Sequence, residues 1–226
     1  MYVVTLDQCR REDGDLVPAL VRHLDGLRTE VPFQRAGEHL VQGIATDPAT
    51  AVSAALAGLR GGTWRVGIGV GPVLLEAATD AAGRTGVRAD GPGTAHARRA
   101  AERASRSGRV PVCVAADDDD VAAEAEAVLR LLGRIVVLRT EAEWRVVDLL
   151  VPGARGQQKV VAAELGITPQ AVSKAVARAL WQEEWDARPA AARLLSLCET
   201  PAAGGEAAPR PGTHGSTTNP SEIIHS

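Results

Sequence analysis

Hydrophobic positions in the first 73 residues follow two periods, one typical of strands and one typical of helices. The predicted strands, all short and β-branched, are 2–6, 31–34, 40–45 and 64–73. Leu16–Leu27 has apolar residues at helical spacing, and Asp47 followed by Pro48 starts a second helix that runs to about Leu59. This order is a split β-α-β arrangement, so we expect a ferredoxin-like antiparallel sheet covered by helices.

The pattern is less regular over the next stretch. Residues 74–93 predict a long irregular insertion, Thr94–Ser107 an Arg- and Ala-rich helix, and Val110–Ala115 a fifth strand able to join the sheet edge. A long helix over Val121–Leu138 follows. Its apolar stripe consists of Val121, Ala125, Val128, Leu132 and Ile135. The stripe is either a dimer seam or the face that joins two domains.

Four consecutive carboxylates, Asp117–Asp120, stand directly before this long helix. A metal site is one interpretation. Carboxylates at a helix N-terminus also complement the helix dipole and cap its free amides, and we favour that interpretation.

The stretch from Gln157 to Ala179 predicts two helices joined by a tight turn. Gly166 supplies the turn, Thr168 the cap, and Pro169 the first helical position. The expected core positions are Val160, Val161, Ala162, Leu165, Ile167, Val172 and Val176. Ala175 departs from the usual pattern of this motif, which has a larger aliphatic residue at that position. Together these signals indicate a helix-turn-helix of the kind found in DNA-binding proteins.

Polar side chains are expected on the outer face of this motif. They are Lys159, Thr168, Gln170, Ser173, Lys174 and Arg178. Gln170, Ser173 and Lys174 suit base edges or phosphates, and the others suit the phosphate backbone. The expected partner is double-stranded DNA, bound by a homodimer, since one motif makes few phosphate contacts.

Two further helices flank the motif. Glu141–Leu150, with Trp144, Val147 and Leu150 on its apolar face, is expected to be the first helix of the DNA-binding domain. Trp181–Leu197 is expected to continue helically and pack back on the same domain.

Charge and composition narrow the function classes. The net charge is −3, so DNA binding depends on a local patch, and both lysines of the chain, Lys159 and Lys174, lie in the motif. Three dispersed cysteines indicate reduced thiols rather than a metal site or a disulfide framework. No apolar run is long enough to span a membrane and no signal-peptide pattern opens the chain, so we expect a soluble cytoplasmic protein.

These patterns divide the chain into four parts. An α+β domain at 1–116 is followed by a connecting helix at 117–139, a helix-turn-helix domain at 140–197 and a polar tail at 198–226 that we expect to be disordered. The function expected is DNA-binding transcriptional regulation. The N-terminal domain would then dimerise or sense a small-molecule or nucleotide effector.

Several stretches resemble the SatD family, small proteins that pair a domain of this kind with a C-terminal helix-turn-helix. They are Met1–Asp7, the hairpin with Gly37-Glu38 and Gln42-Gly43, Val66–Val73, Asp90–Pro92 with Ala97-Arg98, and the helix-turn-helix. The resemblance covers most of residues 1–197 and implies a regulatory role.

The same stretches are more distantly similar to class III nucleotide cyclases. That resemblance implies Asp7 and Glu38 as ligands of two metal ions that hold a triphosphate. The chain departs from the cyclase pattern: Glu38 replaces an Asp, Thr94 stands where an Asn belongs four residues before Arg98, and a base-selecting Lys is missing from this domain. We therefore expect no enzyme activity and no cofactor. A metal-dependent cyclase-like or nucleotide-binding enzyme is the alternative.

Overall fold

The computed structural model describes residues 1–79, 85–108 and 110–199. The strands are β1 (Tyr2–Gln8), β2 (Thr29–Gly37), β3 (Leu40–Ala45), β4 (Trp64–Val70), β5 (Leu74–Thr79), β6 (Thr85–Asp90) and β7 (Val112–Ala115). The helices are α1 (Val17–Leu24), α2 (Pro48–Leu59), α3 (Pro92–Ala104), α4 (Asp119–Leu138), α5 (Glu141–Val147), α6 (Gln158–Leu165), α7 (Pro169–Arg178) and α8 (Trp181–Leu197). The predicted α+β class is confirmed.

The main sheet has five strands in the order β2-β3-β1-β4-β7. β1 lies at its centre and pairs antiparallel with both β3 and β4, while β7 pairs parallel with β4. The fifth strand therefore does join the sheet edge, and it makes the sheet mixed rather than purely antiparallel. β7 runs parallel because α3 crosses over the sheet before the chain returns to the edge beside β4.

Both predicted helix caps are present. The side chain of Asp47 accepts a hydrogen bond of 2.8 Å from the backbone N–H of Thr50 at the start of α2. Asp118 accepts from the amides of Asp120 and Val121 at the start of α4. The carboxylate run before α4 thus satisfies free helical N–H groups. Among the residues that the structure describes, side chains able to ligate a metal do not gather in threes anywhere.

One face of the main sheet is covered by α1, α2, α4 and α8 around a large apolar core. The prediction that 181–197 packs back on the helix-turn-helix domain is only half right. Trp181 contacts Val147 and Ala179, but Ala191 and Leu195 are fully buried in the core against the sheet. The second half of α8 contacts α2 and α4, a long-range packing that the local pattern of this helix does not encode.

The opposite face is covered by α3, which lies unusually close to β4. A Cβ at Gly67 would overlap the backbone of Ala101, and one at Gly69 would overlap the backbone of Ala97. Glycine is needed at both positions because only a strand surface without side chains lets the helix backbone approach this far. The glycine-rich fourth strand is therefore explained by helix packing.

The predicted stripe on α4 is rotated. The buried positions are Ala122, Ala125, Leu129, Leu132 and Val136, so Ala122, Leu129 and Val136 replace Val121, Val128 and Ile135. This face packs on β7, α2 and α8 of the same chain, which leaves it unavailable as a dimer seam. The spacing of four and three could not separate the two faces, because apolar residues occupy both of them.

The prediction of an irregular insertion over 74–93 is wrong for its described residues, 74–79 and 85–93. β5 and β6 form an antiparallel hairpin separate from the main sheet, and α3 already begins at Pro92. Leu75 and its cross-strand partner Ala89 pack on a cluster that contains Val3 and Ala97. The hairpin was missed because most of its side chains stay exposed, and such strands need no apolar alternation.

Cys198 and Glu199 belong to the predicted tail but are held by the folded part of the chain. The Cys198 thiol is buried in the main core, and burial, with a further contribution from the Asp118 carboxylate, raises its pKa to about 11. The carboxylate of Glu199 accepts a hydrogen bond of 2.8 Å from the Met1 ammonium group. The rest of the predicted tail, 200–226, lies outside the described residues.

None of the described helices has the length and apolarity needed to cross a membrane.

Candidate functional sites

The first candidate site is the surface of a three-helix unit made of α5, α6 and α7, called here the α5–α7 unit. Thr140 caps α5: its hydroxyl accepts from the Glu143 amide, and the Glu143 carboxylate accepts from the Thr140 amide at 3.0 Å. That backbone hydrogen bond, followed by the Thr140 side chain and then the nearby Arg178 charge, holds the pKa of Glu143 below its ordinary value although burial opposes the shift. The reciprocal pair fixes where the unit begins.

The tight turn between α6 and α7 has the predicted geometry. Gly166 ends α6 with a left-handed backbone, φ 65° and ψ 31°. The Thr168 hydroxyl accepts from the Ala171 amide at 3.2 Å, and Pro169 is the first residue of α7. Each of these local predictions is confirmed, and together they set the angle at which α7 leaves the turn.

The core of the unit is smaller than predicted. It is built from Val146, Val161, Ala162, Val172 and Ala175. The predictions for Val160 and Ile167 are wrong, since 72% of Val160 and 41% of Ile167 is exposed, and Val176 is only partly buried.

Ala175 is buried although its side chain is small. It lines a groove of about 210 Å³ between α5 and the turn, together with Val146 and Ile167. The volume that a larger residue at 175 would fill is left open, so Ile167 has little to pack against and stays at the surface.

The predicted outward-facing residues are all exposed. Gln170, Ser173 and Lys174 are spaced three and four apart on α7, so they share one face of that helix. Lys159 lies on α6. Arg178 is less free than predicted, because its Nε lies 3.4 Å from a carboxylate oxygen of Glu143. The unit therefore exposes an amide, a hydroxyl and an ammonium group along one helix face.

The loop before α6 is held by a single side chain. The amide of Gln157 accepts from the backbone N–H of Val151 and donates to the carbonyl oxygens of Val151 and Ala154. Gln157 is thus a structural residue. Exposed Arg155 sits in the loop that it closes, which adds a positive charge near Lys159.

The second candidate site is a cleft of about 630 Å³ between the main sheet, α3 and the β5–β6 hairpin. Its lining includes Asp7, Arg88, Thr94 and Arg98. Its floor is polar, because Gln42 donates a hydrogen bond of 3.0 Å to the Thr5 hydroxyl across β1 and β3. The cleft therefore offers two guanidinium groups as donors for an anion, beside three carboxylates, those of Asp7, Asp90 and Glu102.

The two carboxylates implied as metal ligands are not equivalent. Asp7 lines the cleft and lies 3.5 Å from a guanidinium nitrogen of Arg65, its partner across β1 and β4. Glu38 does not line the cleft: 90% of its side chain is exposed, and its carboxylate lies 3.7 Å from Nε2 of His39. The structure thus brings Asp7, Thr94 and Arg98 together and leaves Glu38 outside.

Arg88 was missed by the sequence interpretation because its segment was predicted to be irregular. Pairing of β5 with β6 brings it to the cleft. The only signal in the sequence is a short run, Thr85–Asp90, with one β-branched apolar residue, which is too weak to predict a strand alone.

Comparisons of the chain with family models, with curated proteins and with solved structures gave no significant match.

Proposed function

We propose that this protein binds double-stranded DNA through a helix-turn-helix formed by α6 and α7 and acts as a transcriptional regulator. The observation that supports this most strongly is the outer face of α7. Gln170, Ser173 and Lys174 are exposed there in register, behind a capped helix start and a left-handed glycine turn. A helix N-terminus with such side chains fits the major groove.

The roles of the side chains follow from their positions. Gln170 and Ser173 lie in the first half of α7 and would contact base edges, while Lys174 would reach a base or a phosphate. Thr168 and Lys159 flank the helix start and would contact the phosphate backbone. Arg178 would contact phosphate only by leaving Glu143, so we expect it to contribute least.

A homodimer is part of this proposal. One unit with two lysines neutralises few phosphates, which gives weak and strongly salt-dependent binding. Two copies related by a twofold axis would bind a symmetric operator with half-sites about one helical turn apart. The buried face of α4 cannot provide the dimer contact, so the contact must involve another surface.

The N-terminal domain would serve as the dimerisation or sensing part. The order and directions of β1–β4, with α1 and α2 between them, support a ferredoxin-like unit, and the glycine-rich β4 under α3 supports the resemblance to the SatD family. The cleft beside Asp7 offers this domain a polar surface for an effector.

Titration of the protein against genomic DNA fragments, by gel shift at increasing salt, tests the proposal. We expect a small set of fragments to bind, with affinity that falls steeply as salt rises. The proposal would be contradicted if all fragments bound with the same affinity and this affinity did not change with salt. Lack of DNA binding together with capture of a protein through α7 would instead favour an interaction module.

A second function, binding of a nucleotide or another phosphorylated small molecule, is favoured by the cleft. Arg88 and Arg98 offer guanidinium donors to phosphate oxygens. Asp7 is already next to Arg65, and Glu38 stands outside, so a pair of metal ions between these carboxylates is not part of this proposal. We propose binding without turnover.

A further inference from the structure

A separate cavity lies at the junction between the sheet domain and the α5–α7 unit. Its volume is about 270 Å³, and it is enclosed by α1, α2, the end of α4, α5 and the first half of α8. Three of the four tryptophans of the chain, Trp144, Trp181 and Trp185, line it. Neither the DNA-binding face nor the cleft at Asp7 shares a residue with this cavity.

The aromatic walls form a corner. The rings of Trp181 and Trp185 are 6.2 Å apart between centroids and are inclined at 61°, so they meet edge to face. Leu24, Leu27 and Leu56 add an apolar surface. A flat ring is the shape that such a corner accommodates, since edge-to-face and offset contacts are the favoured aromatic geometries.

The polar part of the lining carries more positive than negative charge. Three arginines line the cavity, Arg60, Arg139 and Arg188, against two carboxylates, Asp148 and Glu184. Arg60 donates two hydrogen bonds of 2.8 and 2.7 Å to the carboxylate of Asp148. Glu184 is shared between Arg139 and Arg188. The lining therefore has one guanidinium charge in excess.

Of the two arginines that share Glu184, Arg188 is the more exposed. Arg139 is 3% exposed, its Nε donates to the Ala179 carbonyl at 2.8 Å, and its Nη2 lies 2.6 Å from a Glu184 oxygen. The side chain of Arg188 is 21% exposed and donates to Glu184 through Nε and Nη2. Its Nη1 donates to no described residue, so this nitrogen is available to a ligand oxygen.

We propose that this junction cavity binds a small aromatic carboxylate. The carboxylate would accept a hydrogen bond from Arg188, while the ring would occupy the corner between Trp181 and Trp185. The volume is just below the range of drug-sized sites, so one or two rings fit and a nucleoside triphosphate does not. Neutral and cationic rings of the same size lack the negative charge that the lining requires.

The position of the cavity gives such a ligand a route to the DNA-binding face. Trp144 and Val147 lie on α5, whose neighbour Val146 is part of the α5–α7 core, and Trp181 follows directly after α7. A ligand that binds one arrangement of α5 and α8 more tightly would raise the population of that arrangement. The affinity for DNA would then move toward the affinity of that arrangement. This last step alone rests on the proposed function.

Calorimetric titration of the full chain with benzoate and indole-3-acetate tests the ligand site, with benzamide, benzylamine and indole-3-acetamide as matched neutral or cationic probes. We expect at least one of the two carboxylates to bind saturably. Its neutral analogue should bind at least tenfold more weakly, because it loses one charge-assisted hydrogen bond, which contributes about 1.5 kcal/mol. Equal binding of the charged and neutral forms, or no saturable binding of either carboxylate, would overturn the proposal.

Three variants keep the test independent of folding defects. Ala57→Leu fills the cavity from α2 and should abolish binding, while Ala49→Leu adds the same volume at an exposed position of α2 outside the cavity and should leave binding intact. Arg188→Gln should weaken carboxylate binding about tenfold and leave binding of the neutral analogue unchanged. Binding that persists in folded Ala57→Leu would contradict the site.

The regulatory step has its own readout. DNA affinity measured with and without the bound carboxylate should change in the wild type and stay constant in Ala57→Leu. Ligand binding without a change in DNA affinity would leave the site standing and refute only the coupling. Absence of any DNA binding would refute the proposed function and leave the calorimetric result unaffected.

Discussion

Arg139 and Glu184 form an ion pair of 2.6 Å in which the two side chains are only 3% and 1% exposed. Glu184 also holds Arg188, whose Nε donates to it at 2.8 Å. Glu184 thus compensates two guanidinium groups where α8 meets the end of α4. A buried pair of this kind is expensive to break, because removal of one partner leaves an uncompensated buried charge.

Glu184→Gln should therefore lower the free energy of unfolding by about 3–5 kcal/mol, as measured by denaturant titration. Glu183→Gln, an exposed neighbour on the same helix, should change it by less than about 0.5 kcal/mol. Similar small effects of the two substitutions would show that the junction does not depend on this ion pair.

Gly69→Ala tests the close packing of α3 on β4. The added methyl group would overlap the Ala97 backbone, which cannot rotate away as a side chain could. We expect a loss of at least about 3 kcal/mol, at the upper end of overpacking effects, measured as a shift of the denaturation midpoint. Gly86→Ala, at a position with open space around it, should be close to neutral and serves as the control.

The cap at Glu143 predicts a specific pH dependence. Its pKa in the folded protein is lowered chiefly by the hydrogen bond from the Thr140 amide, so its contribution to stability is present above the ordinary Glu pKa and is lost as pH falls through the folded value. Glu143→Gln should cost about 1 kcal/mol at neutral pH and less in acid. Unfolding curves at several pH values measure this difference.

Glu141→Gln, an exposed change in the same turn of α5, is the matched control for that series. It should show a smaller loss, because the capping hydrogen bond from the Thr140 amide is accepted by Glu143. A loss for Glu143→Gln that stays constant from neutral pH into strong acid would contradict the role given to the capping hydrogen bond.

The cleft at Asp7 makes a prediction about catalysis. With Mg²⁺ or Mn²⁺ and nucleoside triphosphates, we expect no turnover that Asp7→Ala removes, because Asp7 is paired with Arg65 and Glu38 lies outside the cleft. Product analysis of the wild type against Asp7→Ala measures this. Asp7-dependent turnover would establish the enzyme alternative in place of a binding cleft.

Local chemistry accounts for what could be predicted from the sequence. Asp47, Gly166, Thr168 and Pro169 act on backbone groups within four residues, so their roles are readable from spacing alone. The antiparallel pairing of β1–β4 and the addition of a fifth strand at the sheet edge could be predicted for a similar reason, because consecutive strands usually pair without crossing connections.

Long-range packing accounts for what could not be predicted. The exposure of Val160 and Ile167 depends on how little volume Ala175 fills, and the burial of Leu195 depends on α2 and α4 far away in the chain. The junction cavity is of the same kind, because Arg60 and Arg139, which are far apart in the chain, both lie over the ring of Trp144.

The most direct test of the central claim is DNA affinity as a function of salt for two double variants. Lys159→Ala with Lys174→Ala removes two charges from the proposed interface, whereas Arg22→Ala with Arg193→Ala removes two exposed charges elsewhere. We predict that the lysine variant binds more weakly and that its salt slope falls by about 2, while the arginine variant behaves like the wild type. Unchanged affinity and slope in the lysine variant would contradict DNA binding by α6 and α7.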